Sequence, residues 1–362
     1  MSDRSIQKAG ANSNQVQAGT VNQYFGMSEK RVEEIVDERC ARTLSNCILE
    51  SRLVAEQRIG DFKTELLGIF ARKPDLVHAL EEPSCVDSFE RAARTATRSS
   101  KVVDNKLLSE LLERRFEDPR NRHVATGVNR AIEIVDQITD EELNGLTILF
   151  AVERYSPNSG LIGEGLAVLD ALYGKLPINN LPNGGAWIDS LDIHDALRTS
   201  TLGSLKKYSD YFFKRLEGYT VWGVEKDSEL FVQAVNWLSD TKIPVDILVD
   251  HELHSGYVRL GICNRGRINE LVFTGQNDEN VSPDAEQIAV LNQLFDQMNV
   301  VEHEQEMKAA FEKKLKAFTN IVAVQDWWDN ISSAPRITVV GEALANANAR
   351  RIDPTLPDLE IN

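Results

Sequence analysis

Residues 138–155 read ITDEELNGLTILFAVERY. Thr139 followed three residues later by Glu142 is the pattern of a capping box, in which a hydroxyl accepts from the third helical amide and a carboxylate reaches back to the cap's own N–H. Asp140, Glu141 and Glu142 suit the positive end of a helix. Leu143, Leu146, Ile148 and Leu149 supply the apolar face behind them. The stretch predicts a helix over 141–155, apolar enough to lie inside a bundle.

The same periodicity extends outward. Residues 89–97, 106–116, 123–138 and 161–173 each place apolar side chains three and four apart, with short connections at Ser99-Ser100, Asp118-Pro119 and 156–160. They predict a helical bundle over 73–174. Upstream, Val32, Ile35, Val36, Cys40, Leu44, Cys47 and Ile48 mark a long amphipathic helix within 27–72, with Ser28 as its N-cap. Its near-coiled-coil spacing suits either an oligomer stalk or the first helix of the bundle.

Downstream, KLPINNLPNGGA at 175–186 holds two prolines and two glycines and reads as a domain boundary. Residues 187–351 read as a second, helical and then α+β domain. Helices are expected at 187–197, 202–216, 228–239, 285–298 and 302–318, and small strands at 245–249, 257–263 and 268–273. A short strand at 336–341 turns at Gly341 into a last helix at 342–350. Residues 352–362, with Pro354 and Pro357, read as an extended or mobile tail. The fold class is mainly α, with a C-terminal α+β region carrying a small hairpin or wing.

The leader, residues 1–26, has a different character. Between Ile6 and Gly26 it holds one charge, Lys8, no proline, and many Asn and Gln. Gly10, Gly19 and Gly26 disfavour helix, and a degenerate repeat sets Ile6-Gln7 with Gly10 and Asn12 against Val16-Gln17 with Gly19, Val21 and Asn22. A lone short hairpin buries too little to offset its ordering entropy, whereas amide ladders between identical chains can. The leader is therefore expected to be a β self-assembly segment that makes the protein a homo-oligomer. Its direct continuation into a helix favours a small closed assembly over a fibril.

Val16-Gln17-Ala18-Gly19 resembles the core of the RIP homotypic interaction motif, and the flanking Asn and Gln resemble bacterial amyloid signalling motifs found at the termini of immunity proteins. In the body, residues 92–150, with Leu107-Leu108, Leu111-Leu112 and Arg114-Arg115, resemble bacterial proteins of unknown function that carry a similar leader. The terminal ITVVGEALANANARR at 337–351 is similar to the strand-turn-helix that closes those proteins and some abortive-infection proteins. The resemblance implies prokaryotic antiviral defence. It implies an interaction protein with partners of its own kind, or another protein with a matching motif, and no particular reaction.

Composition bounds the rest. The 362 residues are 42% apolar, ample for ordinary cores, and carry a formal charge of −16. That balance argues against a nucleic-acid backbone or an anionic membrane as the main partner. The sequence has neither a membrane-length apolar run nor a signal-peptide pattern, so a cytoplasmic location is expected. Cys40, Cys47, Cys85 and Cys263 are too scattered for a disulfide scaffold or zinc site and read as small core hydrophobes.

Catalytic grammar is sparse. His251-Glu252-Leu253-His254 lacks the four-residue histidine spacing of a zinc-protease helix and reads as a turn with two solvated histidines. His303 reads as an inert residue on a charged helix face. Arg72 and His78 fit the spacing of helical ribonuclease effectors, with Arg to hold phosphate and His for acid/base transfer. That pairing is the alternative to an assembly function. No phosphate loop, nucleophile elbow, metal set or cofactor motif is found.

Overall fold

The computed structural model describes residues 29–45, 52–200, 203–274, 280–357 and 359. The leader with all its self-assembly positions lies outside the described residues, as do Ser28, Cys47 and Ile48. Among the described residues the chain is mainly helical, with a few short antiparallel strands.

The first half is a run of helices: α1 (Glu29–Ser45), α2 (Arg52–Arg72), a 3-10 segment (Pro74–Glu81), α3 (Pro83–Arg98), α4 (Val102–Glu117), α5 (Arg122–Ile134), α6 (Asp140–Arg154) and α7 (Ile162–Lys175). The capping box at α6 forms as the sequence predicts. Thr139 Oγ1 accepts from Glu142 N at 3.2 Å, and Glu142 Oε2 accepts from Thr139 N at 2.7 Å. Every residue from Gly145 to Val152 is buried. A helix buried on all sides is central, and α6 is that helix here.

The second half continues with α8 (Ala186–Ile193), β1 (Leu197–Ser200), α9 (Tyr208–Arg215), α10 (Glu217–Thr220), β2 (Val224–Glu225), α11 (Glu229–Asp240), β3 (Leu248–Asp250), β4 (Tyr257–Leu260), β5 (Phe273–Thr274), β6 (Asn280–Val281), α12 (Ala285–Met298), α13 (Glu304–Leu315), α14 (Thr319–Trp328), β7 (Ala334–Ile337) and α15 (Val339–Ile352). A three-stranded sheet in the order β2-β4-β3 pairs Val224 with Val258 and Leu248 with Leu260. β1 pairs with β7, from Leu197 opposite Ile337 to Ser200 opposite Ala334.

Residues 175–186 do not divide the core. One buried cluster joins Phe62 of α2, Leu146 of α6, Trp187 of α8, Phe311 of α13 and Leu344 of α15. The Pro/Gly segment is instead a surface connection fastened to its neighbours: Asn144 Nδ2 donates to Asn180 O at 3.1 Å, and Trp327 Nε1 to Pro182 O at 2.9 Å. A second, smaller core forms between α10 and α13, where Val224, Leu238, Val258, Leu260, Leu291 and Phe295 pack together. The α+β part is thus an insertion, and α13, α14 and α15 return to the first core.

Helix α15 completes the bundle, packing on α4, α5 and α6. Its stretch of alanines and asparagines is buried from Ala343 to Ala349, and Asn348 Nδ2 donates to Thr147 Oγ1 of α6 at 2.8 Å. Gly341 is helical, not a turn residue. A Cβ there would lie 2.1 Å from the Ala196 carbonyl, so the glycine is set by close approach of β1.

Other expectations change for similar tertiary reasons. The helix expected over 202–216 begins at Tyr208, whose amide is capped from a distance by Asp329 Oδ1 at 2.7 Å. The strands expected at 245–249 and 268–273 are shortened by the 3-10 segments Val245–Ile247 and Arg265–Glu270. The expected tail is anchored at its start. Asp353 accepts from Lys175 Nζ at 2.7 Å, and Leu356 and Leu359 pack on the core.

Candidate functional site

Arg72 ends α2, with its guanidinium 3.8 Å from the Glu113 carboxylate of α4. Pro74 opens the 3-10 segment just after it, and the exposed His78 ring lies 3.4 Å from Glu81 within that segment. The structure does not bring the two into one cleft: Arg72 lines a cavity whose walls exclude His78.

The histidines at 251 and 254 are not solvated. His251 is buried, with Nε2 2.8 Å from the Val221 carbonyl and Nδ1 accepting from Leu253 N at 3.2 Å. A carbonyl only accepts, so Nε2 carries the proton and the ring is neutral. Burial brings its pKa down to about 4. His254 stacks on Tyr257 at 3.5 Å and lies 3.9 Å from Trp222 between ring centroids, while His303 stacks on the same Trp222 at 3.8 Å. These rings tie the start of α13 to the inserted sheet. Cys40, Cys85 and Cys263 are free and buried, and burial pushes the Cys40 thiol up to about 11.

A charged cleft of about 530 Å³ is walled by the end of α2, the middle of α4 and the end of α15. Helical spacing builds its floor: Lys106, Ser109, Glu110 and Glu113 stand at i, i+3, i+4 and i+7 along α4, one face of that helix. At the centre is the buried carboxylate of Glu113, which accepts from Lys73 Nζ at 2.7 Å and Arg350 Nη2 at 3.3 Å, with Arg72 at 3.8 Å. Lys73 also bonds Glu117 at 2.6 Å. Burial alone would raise Glu117, but the Lys73 hydrogen bond and charge hold it below the usual glutamate range.

Five cations line this cleft (Arg72, Lys73, Lys106, Arg350, Arg351) against three carboxylates (Glu65, Glu110, Glu113). Burial, then the neighbouring Glu113 charge, raises the Glu110 pKa, against the opposing charges of Arg350, Arg72 and Lys73. Burial also pulls the Arg351 guanidinium down, against the attraction of Asp104, Asp140 and Glu110. Among the described residues the hydrogen bonds of Arg351 go to Asn348 Oδ1, at 2.6 and 3.1 Å, and not to a carboxylate. The arrangement is one that receives negative charge.

Of these residues the sequence reading singled out only Arg72. The i, i+3, i+4, i+7 polar face of α4 was a legible signal. Its meeting with Lys73 and Arg350 is tertiary and left no local trace.

Where the leader ends, α1 begins. Only Met27 and Ser28 separate Gly26 from Glu29. Val32, Val36 and Cys40 of α1 are buried in the main core, Arg39 Nη1 bonds Glu90 of α3 at 2.9 Å, and Lys63 of α2 bonds Asp37 at 2.5 Å. A free stalk would leave that apolar face in water. This helix is instead seated on its own bundle.

Fold and site together define a mainly helical protein with one inserted α+β unit and a basic cleft among three bundle helices. A family model for uncharacterised proteins matches residues 26–361, and the chain belongs to that family. No curated protein and no solved structure matches it. No helix among the described residues is long and apolar enough to cross a membrane.

Proposed function

We propose that the protein is a self-assembling interaction protein of prokaryotic defence, in which residues 1–26 pair as strands between chains and the helical body acts when copies are clustered. The observation that carries this reading is the junction at Gly26. The family match opens at residue 26, and α1 starts three residues later with its apolar face held in the body. An assembly element joined by so short a tether fixes the bodies close together. That proximity converts weak contacts between bodies into strong ones by raising their effective concentration.

Size-exclusion chromatography with light scattering tests it. The full chain should run as a multimer, and deletion of residues 1–26 should reduce it to a monomer. Gln17→Lys, which stacks like charges in each rung of paired strands, should do the same. A mass unaffected by either change overturns the reading.

A further inference from the structure

We propose that the cleft between α2, α4 and α15 binds a phosphate-bearing small molecule of about mononucleotide size. This goes beyond the assembly reading and uses none of the leader residues.

Three observations carry it. First, the excess of positive charge is local, in a chain whose formal charge is −16. Some of those cations have a structural explanation, since Arg72, Arg350 and Arg351 lie in the last turns of their helices and complement the negative helix ends. Lys106 does not. It lies in the first half of α4, is exposed, and makes no ion pair within 4 Å with any described residue.

Second, Ser109 is 2% exposed, lines the cleft, and its hydroxyl has no hydrogen-bond partner among the described residues. A buried hydroxyl without a partner costs roughly 1–3 kcal/mol, which an acceptor oxygen in the cleft would offset. Third, Arg351 is held in place by Asn348, and no carboxylate of a described residue is bonded to it. Guanidinium and ammonium groups beside a free hydroxyl form the donor set that phosphate oxygens accept from.

A second arginine-rich surface is mostly paired, with Arg94 the residue left without an ion pair among the described residues. Arg91 pairs with Asp87 and Glu133, Arg98 with Asp136, and Arg130 with Asp195. The cleft differs from it in setting its unpaired cation beside a buried hydroxyl that has no partner among the described residues. A small ligand is favoured over a nucleic-acid strand because the acidic chain repels a long polyanion, while a cleft of about 530 Å³ has the volume of a small-molecule site.

The test uses the full chain and three probes, pyrophosphate, ATP and a single-stranded RNA oligonucleotide, with isothermal titration calorimetry and thermal unfolding. Pyrophosphate or ATP should bind saturably and raise the melting temperature in a concentration-dependent way. Lys106→Glu, at an exposed position with no ion pair to lose, should weaken that binding roughly tenfold or more. Arg94→Glu on the other basic surface should leave it unchanged. Absence of saturable binding at millimolar pyrophosphate and ATP overturns the proposal, as does equal affinity in Lys106→Glu. Tighter, Lys106-dependent binding of the RNA than of ATP overturns it in favour of a nucleic-acid site. Because the leader is intact in every variant, failure here leaves the oligomeric mass untouched and is distinct from failure of the assembly reading.

Discussion

The Arg259 guanidinium of β4 donates to the Gly160 carbonyl at 2.6 Å, joining the inserted unit to the connection between α6 and α7. The same side chain donates to the carbonyls of Leu260, Gly218 and Ile262, and it lies over the Tyr219 ring at 5.2 Å. Arg259 is fully buried, and burial brings its pKa down to about 10, so it remains charged at neutral pH. It is the polar joint between the two cores. Arg259→Met leaves these carbonyls without their donor and should cost about 3 kcal/mol or more; Arg259→Lys, lacking the planar fork, should cost about 2. Differential scanning calorimetry should show one transition for the parent protein and two for the Met variant, with the inserted unit melting first.

Close approach reverses the usual rule for helical glycines. In α2, a Cβ added at Gly68 meets nothing within 4 Å, so Gly68→Ala should stabilise by about 0.5–1 kcal/mol through backbone entropy. In α15, the Cβ of Gly341→Ala would meet the Ala196 carbonyl, which already accepts from Thr338 N at 3.2 Å. The strand and helix must move apart, and the cost should be about 2–3 kcal/mol. Urea unfolding of the two variants should give shifts of opposite sign.

The contrast between those glycines shows how much of the fold was legible. Elements specified by their own residues were readable: the capping box at Thr139 and Glu142, α12 at both ends, and the helices α4 to α7 closely, whereas α3 opens at Pro83, well before the expected Phe89, and the 3-10 segment Pro74–Glu81 was not foreseen. What was not readable depends on contacts between distant segments. Gly341 looks like a turn until Ala196 is placed beside it. Tyr208 starts a helix because Asp329 caps it from 121 positions away. The Pro/Gly run at 175–186 resembles a linker until Asn144 and Trp327, from elsewhere in the chain, are seen to bond the carbonyls of Asn180 and Pro182. The cleft was hidden for the same reason, since its cations come from three separate parts of the chain.

Glu153, near the end of α6, has its pKa raised to about 7 by burial, with the Glu342 charge adding to the effect and Arg215 and Arg154 opposing it. Its value in the unfolded chain is near 4.5. Between these values the folded state binds more protons than the unfolded, so this group lowers stability as pH rises from 4.5 through 7. Glu153→Gln removes that loss. At pH 8 the variant should be more stable than the parent by roughly 1–2 kcal/mol, allowing for solvent screening of a partly exposed group. The gap should close as pH falls toward 4, as read by urea titrations across the range. A constant gap would show that the gain came from packing.

His251 acts with the opposite sign. Its folded pKa of about 4 lies below the unfolded value of 6.5, chiefly through burial and with Arg259 adding to it. The folded state therefore binds fewer protons in that window, and the stability contributed by the neutral ring is lost as pH falls from 6.5 to 4. Protonation would also remove the acceptor that Nδ1 offers to Leu253 N. His251→Gln should be less stable than the parent at pH 7.5, with a flatter pH dependence between 6.5 and 4. In a Glu153→Gln background the parent's acid limb should steepen, since the opposing titration is gone.

Val36 is 1% exposed on the face of α1 that packs into the bundle, beside a narrow gap lined by Leu80 and Phe89. A carboxylate there would be buried without a partner, so Val36→Asp is resolved most cheaply by α1 leaving its seat. The bonds it would give up, Arg39 to Glu90 and Lys63 to Asp37, are half-exposed and worth little against that cost. Helices α4, α5 and α6 pack on α15, while α1 packs chiefly on α2 and α3, so they should hold. Hydrogen exchange in Val36→Asp should rise throughout 29–45 while the amides of 140–154 keep the parent's protection. If the leader assembles independently of the body, light scattering should report the same mass for this variant as for the parent. Loss of protection at 140–154 would instead make α1 a structural member of the central bundle.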